Sequence, residues 1–173
     1  MKMKKSRNFV FLGTLIASLL ISVPSVIAAE NPYGGTAVTP PAPTEVIFSI
    51  VQGGKSKNYS MNDLIKMKPK TISIYEPFVK KRQTFLAIPL SVFVKDAKIS
   101  ATAKLSTVAL NDYIYANSVK NFIKAKAYIA INRSGKPIPY DQGGPLRIIY
   151  PADSMWAKSL DPWNWSLRSI VVK

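Results

Sequence analysis

Three short stretches hold the residues that could do chemistry. Asn111-Asp112-Tyr113 sets an amide, a carboxylate and a phenol in a row. Arg147 follows Gly143-Gly144-Pro145-Leu146 in a run that ends at Tyr150-Pro151. Trp156, Trp163 and Trp165 are the only tryptophans, and they share one Pro-containing stretch with Asp153, Asp161 and Arg168. An indole is costly to expose and seeks both a packing surface and an acceptor for its N–H. Three so close together either form a wall on which a flat ligand stacks or make a small satellite core closing the last strand. Gly143-Gly144-Pro145 reads as a tight turn before a strand, because a phosphate cradle would need a helix to follow it. Asn111-Asp112 serves as readily for a turn as for a site.

Absent residue types exclude more than the present ones include. The 173 residues contain no Cys and no His. Disulfides, thiolate and imidazole metal sites, c-type haem attachment, a Cys nucleophile and a Ser-His-Asp triad are therefore ruled out. No carboxylate pair stands at a spacing that marks a glycosidase. Lys and Arg number 24 against 9 Asp and Glu, a formal charge of +15. The surplus is lysine-heavy and scattered, as in Lys66/Lys68/Lys70, Lys80-Lys81-Arg82 and Lys120/Lys124/Lys126. A nucleic-acid stripe would interleave aromatics with Arg along one element, so solvated faces are expected and no nucleic-acid partner is. An anionic membrane surface or an acidic protein remains compatible with this charge.

The elements that must position these residues follow an address. Lys2, Lys4, Lys5 and Arg7 precede the apolar run Phe9 to Ile21, then Pro24 and Val26-Ile27-Ala28-Ala29-Glu30. That is the layout of a cleavable signal peptide over residues 1–29, which predicts export to the periplasm with no integral membrane anchor after cleavage. Residues 30–45 are rich in Pro and Gly, nearly uncharged, and read as a linker or a strap. The domain proper is expected over 46–173.

Within it, Val46 to Val51 reads as a strand ending at Gly53-Gly54. Ser60-Met61-Asn62-Asp63 reads as a capped start of a short helix that Pro69 stops. Strands are expected over 71–75 and 84–88, and a helix after Pro89 with Leu90, Phe93 and Val94 on one face. Residues 107–110 and 113–115 flank the Asn111-Asp112 break, 127–131 lead into the turn 132–137, and 146–150 and 167–172 are the last strands. The class is α+β, mostly β with short helices.

Taken together, ALNDYIYANSV (109–119), YIAINRSGKPI (128–138), GGPLRIIYP (143–151) and LRSIVV (167–172) resemble the sulfite-oxidase-like, molybdopterin-binding oxidoreductase domain family. VIFSIVQGG, YSMNDLIKM and TFLAIPLSVFV extend the likeness more weakly, so that it spans roughly 46 to 172. The resemblance implies the sulfite-oxidase fold. It also implies a departure. Enzymes of that family hold molybdenum through a cysteine at a position matching about Ile74 to Glu76, where this chain reads Ser73-Ile74-Tyr75-Glu76-Pro77. Oxygen donors do not reproduce a soft thiolate, and molybdenum is not expected. The stretch between Pro151 and the last strand, which brings basic residues to the cofactor in those enzymes, is longer here and rich in Trp.

What the resemblance leaves is a pocket for an organic ring. A pterin is flat, with a 2-amino-4-oxo edge whose donors a carboxylate accepts as a pair, and an indole or phenol face to stack on. Asn111, Asp112, Tyr113, Asp153, Trp156, Trp163 and Trp165 are suited to that task, and Arg147 and Arg168 to a phosphate or a carboxylate tail. Metal-free members of the family are similar to exported pterin-binding regulators, which present a reduced pterin to the periplasmic domain of an inner-membrane sensor, a cyclic-diguanylate enzyme or a sensor kinase. A non-catalytic pterin-binding role is therefore the leading expectation. The alternatives are a molybdopterin-dependent oxidoreductase and a ligand-free protein-interaction module.

Overall fold

The computed structural model of the chain describes residues 40–173. The leader read over 1–29, and residues 30–39 of the linker, lie outside them. The linker's described end is a turn in which the Glu45 N–H donates to the Ala42 carbonyl at 2.9 Å. The Asn62 N–H donates to Pro43 at 3.0 Å, fastening the entry of the chain to the first helix.

Nine strands and three short helices follow: β1 (Val46–Gln52), β2 (Lys55–Ser60), α1 (Met61–Lys66), β3 (Lys70–Glu76), β4 (Lys81–Pro89), α2 (Leu90–Asp96), β5 (Lys104–Ala109), β6 (Ile114–Ser118), α3 (Val119–Lys124), β7 (Tyr128–Arg133), a 3₁₀ turn (Tyr140–Gln142), β8 (Arg147–Ile149) and β9 (Leu167–Val172). Among the described residues the class is α+β and mostly β. The strands form a five-stranded sheet, β2-β1-β9-β5-β6, and a four-stranded sheet, β3-β4-β7-β8. Both sheets and all three helices contribute to one core, with Phe48, Leu64, Phe85, Phe93, Leu105, Phe122, Ile129 and Ile170 in it.

Local chemistry explains most boundaries. Gly53 and Gly54 both have positive φ, as a two-residue hairpin turn between β1 and β2 requires. The Asp63 N–H donates to the Ser60 hydroxyl while the Asp63 carboxylate accepts the Ser60 N–H at 3.0 Å, a complete capping box on α1.

Two elements lie beyond what pattern alone predicts. β2 is mostly polar and owes its place to Tyr59, which pairs in register with Phe48 and packs 5.6 Å from the Phe93 ring. α3 is too short to show a period. Ser118 caps it by accepting the Asn121 N–H at 3.1 Å, and Val119 and Phe122 bury its inner face.

The last strand organises the domain. β9 lies between β1, to which it is parallel, and β5, to which it is antiparallel. The stretch carrying the tryptophans is thereby anchored at its exit to the middle of the sheet.

The Gly-Gly-Pro turn has a steric role. A methyl on Gly144 would lie 1.8 Å from the Ile138 carbonyl oxygen, and the Gly144 N–H donates to Pro139 at 2.8 Å. Gly144→Ala is expected to lower the unfolding free energy by about 3 kcal/mol or more in urea melts. Gly135→Ala, in open space but at positive φ, should cost only ~1 kcal/mol.

Candidate functional site

The β5–β6 turn holds Asn111-Asp112-Tyr113 in a fixed conformation. Asp112 has φ +63° and the Asn111 side-chain oxygen accepts the Tyr113 N–H at 3.3 Å, a side chain standing in for a backbone turn. Several bonds tie this turn and the strand before it to the tryptophan stretch, among them the Leu110 N–H to the Ser166 carbonyl at 2.9 Å. The Tyr113 hydroxyl donates to the Asp161 carbonyl at 2.9 Å. The side-chain amide of buried Asn164 donates to the Thr107 carbonyl of β5 at 3.1 Å and reaches the Tyr113 carbonyl at 3.5 Å. Desolvation, with the nearby Asp161 charge and Tyr115 adding to it, pushes the Tyr113 phenol up, so it remains a neutral donor.

Arg147 and Glu76 form the second part of the site. Both side chains have no exposed surface, and the Arg147 Nη2 lies 3.2 Å from a Glu76 carboxylate oxygen. The Phe78 N–H reaches the same oxygen at 3.4 Å. The guanidinium lies 4.3 Å from the centre of the Trp165 ring and 5.8 Å from that of Phe85. Planar, weakly hydrated Arg suits both the carboxylate and the aromatic faces. Trp165 is wedged in turn. Phe78 packs on it at 4.4 Å, and a methyl on Gly143 would approach its ring to 3.0 Å.

Around that indole opens a cleft of about 270 Å³ lined by Phe78, Asn111, Tyr113, Leu160, Asp161, Trp163 and Trp165. That is just below the range typical of small-molecule pockets, ~300 Å³ and upward. Four of its lining residues are aromatic, Phe78, Tyr113, Trp163 and Trp165, and one carries a carboxylate, Asp161. The Asp161 side chain makes no ion pair or hydrogen bond among the described residues, whereas Asp63, Glu76, Asp96, Asp112 and Asp153 each have a basic partner. A larger cleft of about 330 Å³ sits beside Lys55, Lys57 and Lys98 and has no aromatic wall; Lys57 there is occupied by Asp96, 2.9 Å away.

Of the nine residues singled out by sequence, Asn111, Tyr113, Trp163 and Trp165 are brought together. The other five go elsewhere. Arg147 is spent on Glu76 and has no surface from which to meet a phosphate. Asp112 pairs with Arg168 at 3.0 Å on the exposed side of its turn, so neither lines the cleft. Asp153 is bonded to Lys126, whose hydrogen bond holds its carboxyl below the usual range, and it too lies outside the cleft. Trp156 is buried, edge-on to Tyr115, Phe122 and Tyr150. The three tryptophans thus divide between the two readings. Trp156 is satellite core, Trp165 is wall, and Trp163 is largely buried, donating its N–H to the Trp156 carbonyl at 3.0 Å while its edge closes the cleft.

Phe78, Leu160 and Asp161 are the cleft residues not chosen from sequence. Asp161 was in view beside the tryptophans, but nothing local distinguishes it from Asp153. The donor set does not fit molybdenum. The chain has no thiolate, the buried Glu76 carboxylate is engaged by Arg147, and the described residues hold no group of three or more His, Cys, Asp or Glu that could hold a metal ion.

Removing one partner of a buried ion pair strands the other. Glu76→Gln is expected to cost about 3–5 kcal/mol in urea denaturation. The double variant Glu76→Leu/Arg147→Met should recover most of that loss, because no unpaired charge is left inside.

No protein-family model matches the chain, and no curated protein matches it at significance.

Proposed function

We propose that this chain is a metal-free, non-catalytic binding protein of the sulfite-oxidase-like, molybdopterin-binding fold, and that its cleft holds a pterin or a closely similar flat heterocycle. One observation carries the reading. The segment of about Ile74 to Glu76, where the resemblance calls for a metal-bound thiolate, ends in a buried carboxylate closed off by Arg147, and over that pair Trp165 and Phe78 wall an open cleft. The geometry favours a ring over a metal at this place.

The cleft's chemistry fits the ligand class. A bicyclic ring would stack on the Trp165 or Phe78 face, which is worth about 1–3 kcal/mol per ring by analogy with bases on aromatics. The Asp161 carboxylate would accept the paired N–H donors of an aminopyrimidine edge, since Asp112 and Asp153 are tied to Arg168 and Lys126. Asn111 offers an amide for the 4-oxo side. Arg168 stays outside, tied to Asp112.

As an exported protein it would report occupancy to the periplasmic domain of an inner-membrane sensor, a cyclic-diguanylate enzyme or a sensor kinase. Support for a protein partner is the exposed apolar surface here: Tyr113 and Leu160 line the cleft, Leu110 and Ile114 flank Asn111 and Tyr113 in the chain, and all four are more than 40 % exposed. Exposed apolar residues gathered at one place mark interaction surfaces.

Titration of the purified protein with tetrahydrobiopterin, read by quenching of tryptophan fluorescence, tests the ligand. Saturable quenching is expected, and Phe78→Ala, an exposed position, should weaken it ~10-fold, equivalent to about 1.4 kcal/mol. Asp161→Asn should weaken it comparably, whereas Asp153→Asn should leave it unchanged. Absence of quenching, together with no heterocycle released from natively purified protein in mass spectrometry, would leave the interaction-module reading in its place.

A further inference from the structure

The two sheets end in four edge strands, and three of them are guarded. β8 is covered, its Ile148 N–H donating to the Asn164 carbonyl at 2.8 Å. β2 carries Lys55 and Lys57, and β6 is five residues long. Charge, shortness and covering are the usual ways an edge is kept from pairing.

β3 is guarded only at its ends, by exposed Lys70 and the flanking Pro69 and Pro77, while its other charge, Glu76, is buried against Arg147. Its seven residues run in unbroken register along β4, from Lys70 opposite Ala87 to Glu76 opposite Lys81, with no bulge. Between Thr71 and Tyr75 it has neither charge nor Pro. Among the described residues its backbone bonds only to β4. In an antiparallel ladder every second residue turns its N–H and C=O away from the partner strand, so this edge presents unpaired groups.

We propose that the edge of β3 pairs with β3 of a second copy of this chain, antiparallel, about a twofold axis at Ser73. Its central run Thr-Ile-Ser-Ile-Tyr is complementary to its own reverse. About that axis Ser73 faces Ser73, Ile72 faces Ile74 on the core side, and Thr71 faces Tyr75 on the exposed side. Such β-branched and aromatic pairs are among the favourable cross-strand ones. An isologous contact needs this self-complementarity. The flanks set the register: a slip of two residues either way brings Pro69 or Pro77 into the ladder, where neither can donate. A slip of one would oppose core-facing to exposed side chains. The pairing is independent of whether the cleft holds a ligand.

An edge contact of this size makes a weak dimer. Sedimentation equilibrium of the full chain should show two-chain mass at about 0.1 mM and above. Ser73→Pro should sediment as a monomer with an unchanged circular dichroism spectrum. Because the chain has no Cys, Ser73→Cys introduces one thiol on the axis, within disulfide reach of its mate. It should oxidise to a linked dimer ~10-fold faster than Ser56→Cys on the β2 edge. A wild type that stays monomeric up to ~1 mM, a dimer that survives Ser73→Pro, or Ser73→Cys oxidising no faster than Ser56→Cys would each overturn the pairing. If Ser73→Pro does not fold, the comparison of the two cysteine variants decides.

Discussion

The buried pair between Arg147 and Glu76 is the constraint on which the site depends. Two ions without exposed surface lose their hydration, and their mutual attraction offsets that loss only when geometry and further bonds are favourable. Here the carboxylate also receives the Phe78 N–H, and the guanidinium lies under the Trp165 ring and over Phe85. The pair links β3 and β8, the two outer strands of the four-stranded sheet. It thereby fixes where the β3–β4 turn sits relative to the stretch that leads into β9.

The position of the cleft follows from that link. Trp165 cannot swing inward because Arg147 fills the space beneath it, and it cannot retreat because Gly143 and Phe78 hold its other sides. Tyr113 and Asn164 bring the β5–β6 turn to the same place. The result is an aromatic wall with a rigid back and a carboxylate at its rim. In a chain with so large a basic surplus, an acid without a basic partner is conspicuous, and Asp161 is the one that faces the cleft.

Much of the fold was legible from sequence. Punctuation by Gly and Pro and runs of β-branched residues located most strands, and the Ser60–Asp63 spacing located a capped helix. β2 and α3 were not legible, since a polar edge strand and a six-residue helix have too little period and are made by Tyr59, Val119 and Phe122 finding the core. The candidate site was legible in part. Asn111, Tyr113, Trp163 and Trp165 were identifiable by type and clustering, because aromatic and polar residues gathered in a turn and a Pro-containing stretch are unusual in any context. Phe78 was invisible, lying far along the chain in a turn of its own.

The amino-acid sequence by itself determined what chemistry is closed to this chain: without a thiol or imidazole side chain, no thiolate or histidine step is open to it wherever the chain goes. It also determined the mixed, strand-rich class, because turn residues and side-chain alternation act over a few positions. Only the tertiary structure decided how the charges were spent. Arg147, Asp112, Asp153 and Asp161 are alike in sequence as free ionic groups near candidate turns, and their roles separate only once the sheets bring Glu76, Arg168 and Lys126 to three of them and nothing to the fourth. The reason is physical. Ion pairing is decided by distance in space and by loss of water, and neither quantity is a property of neighbours along a chain.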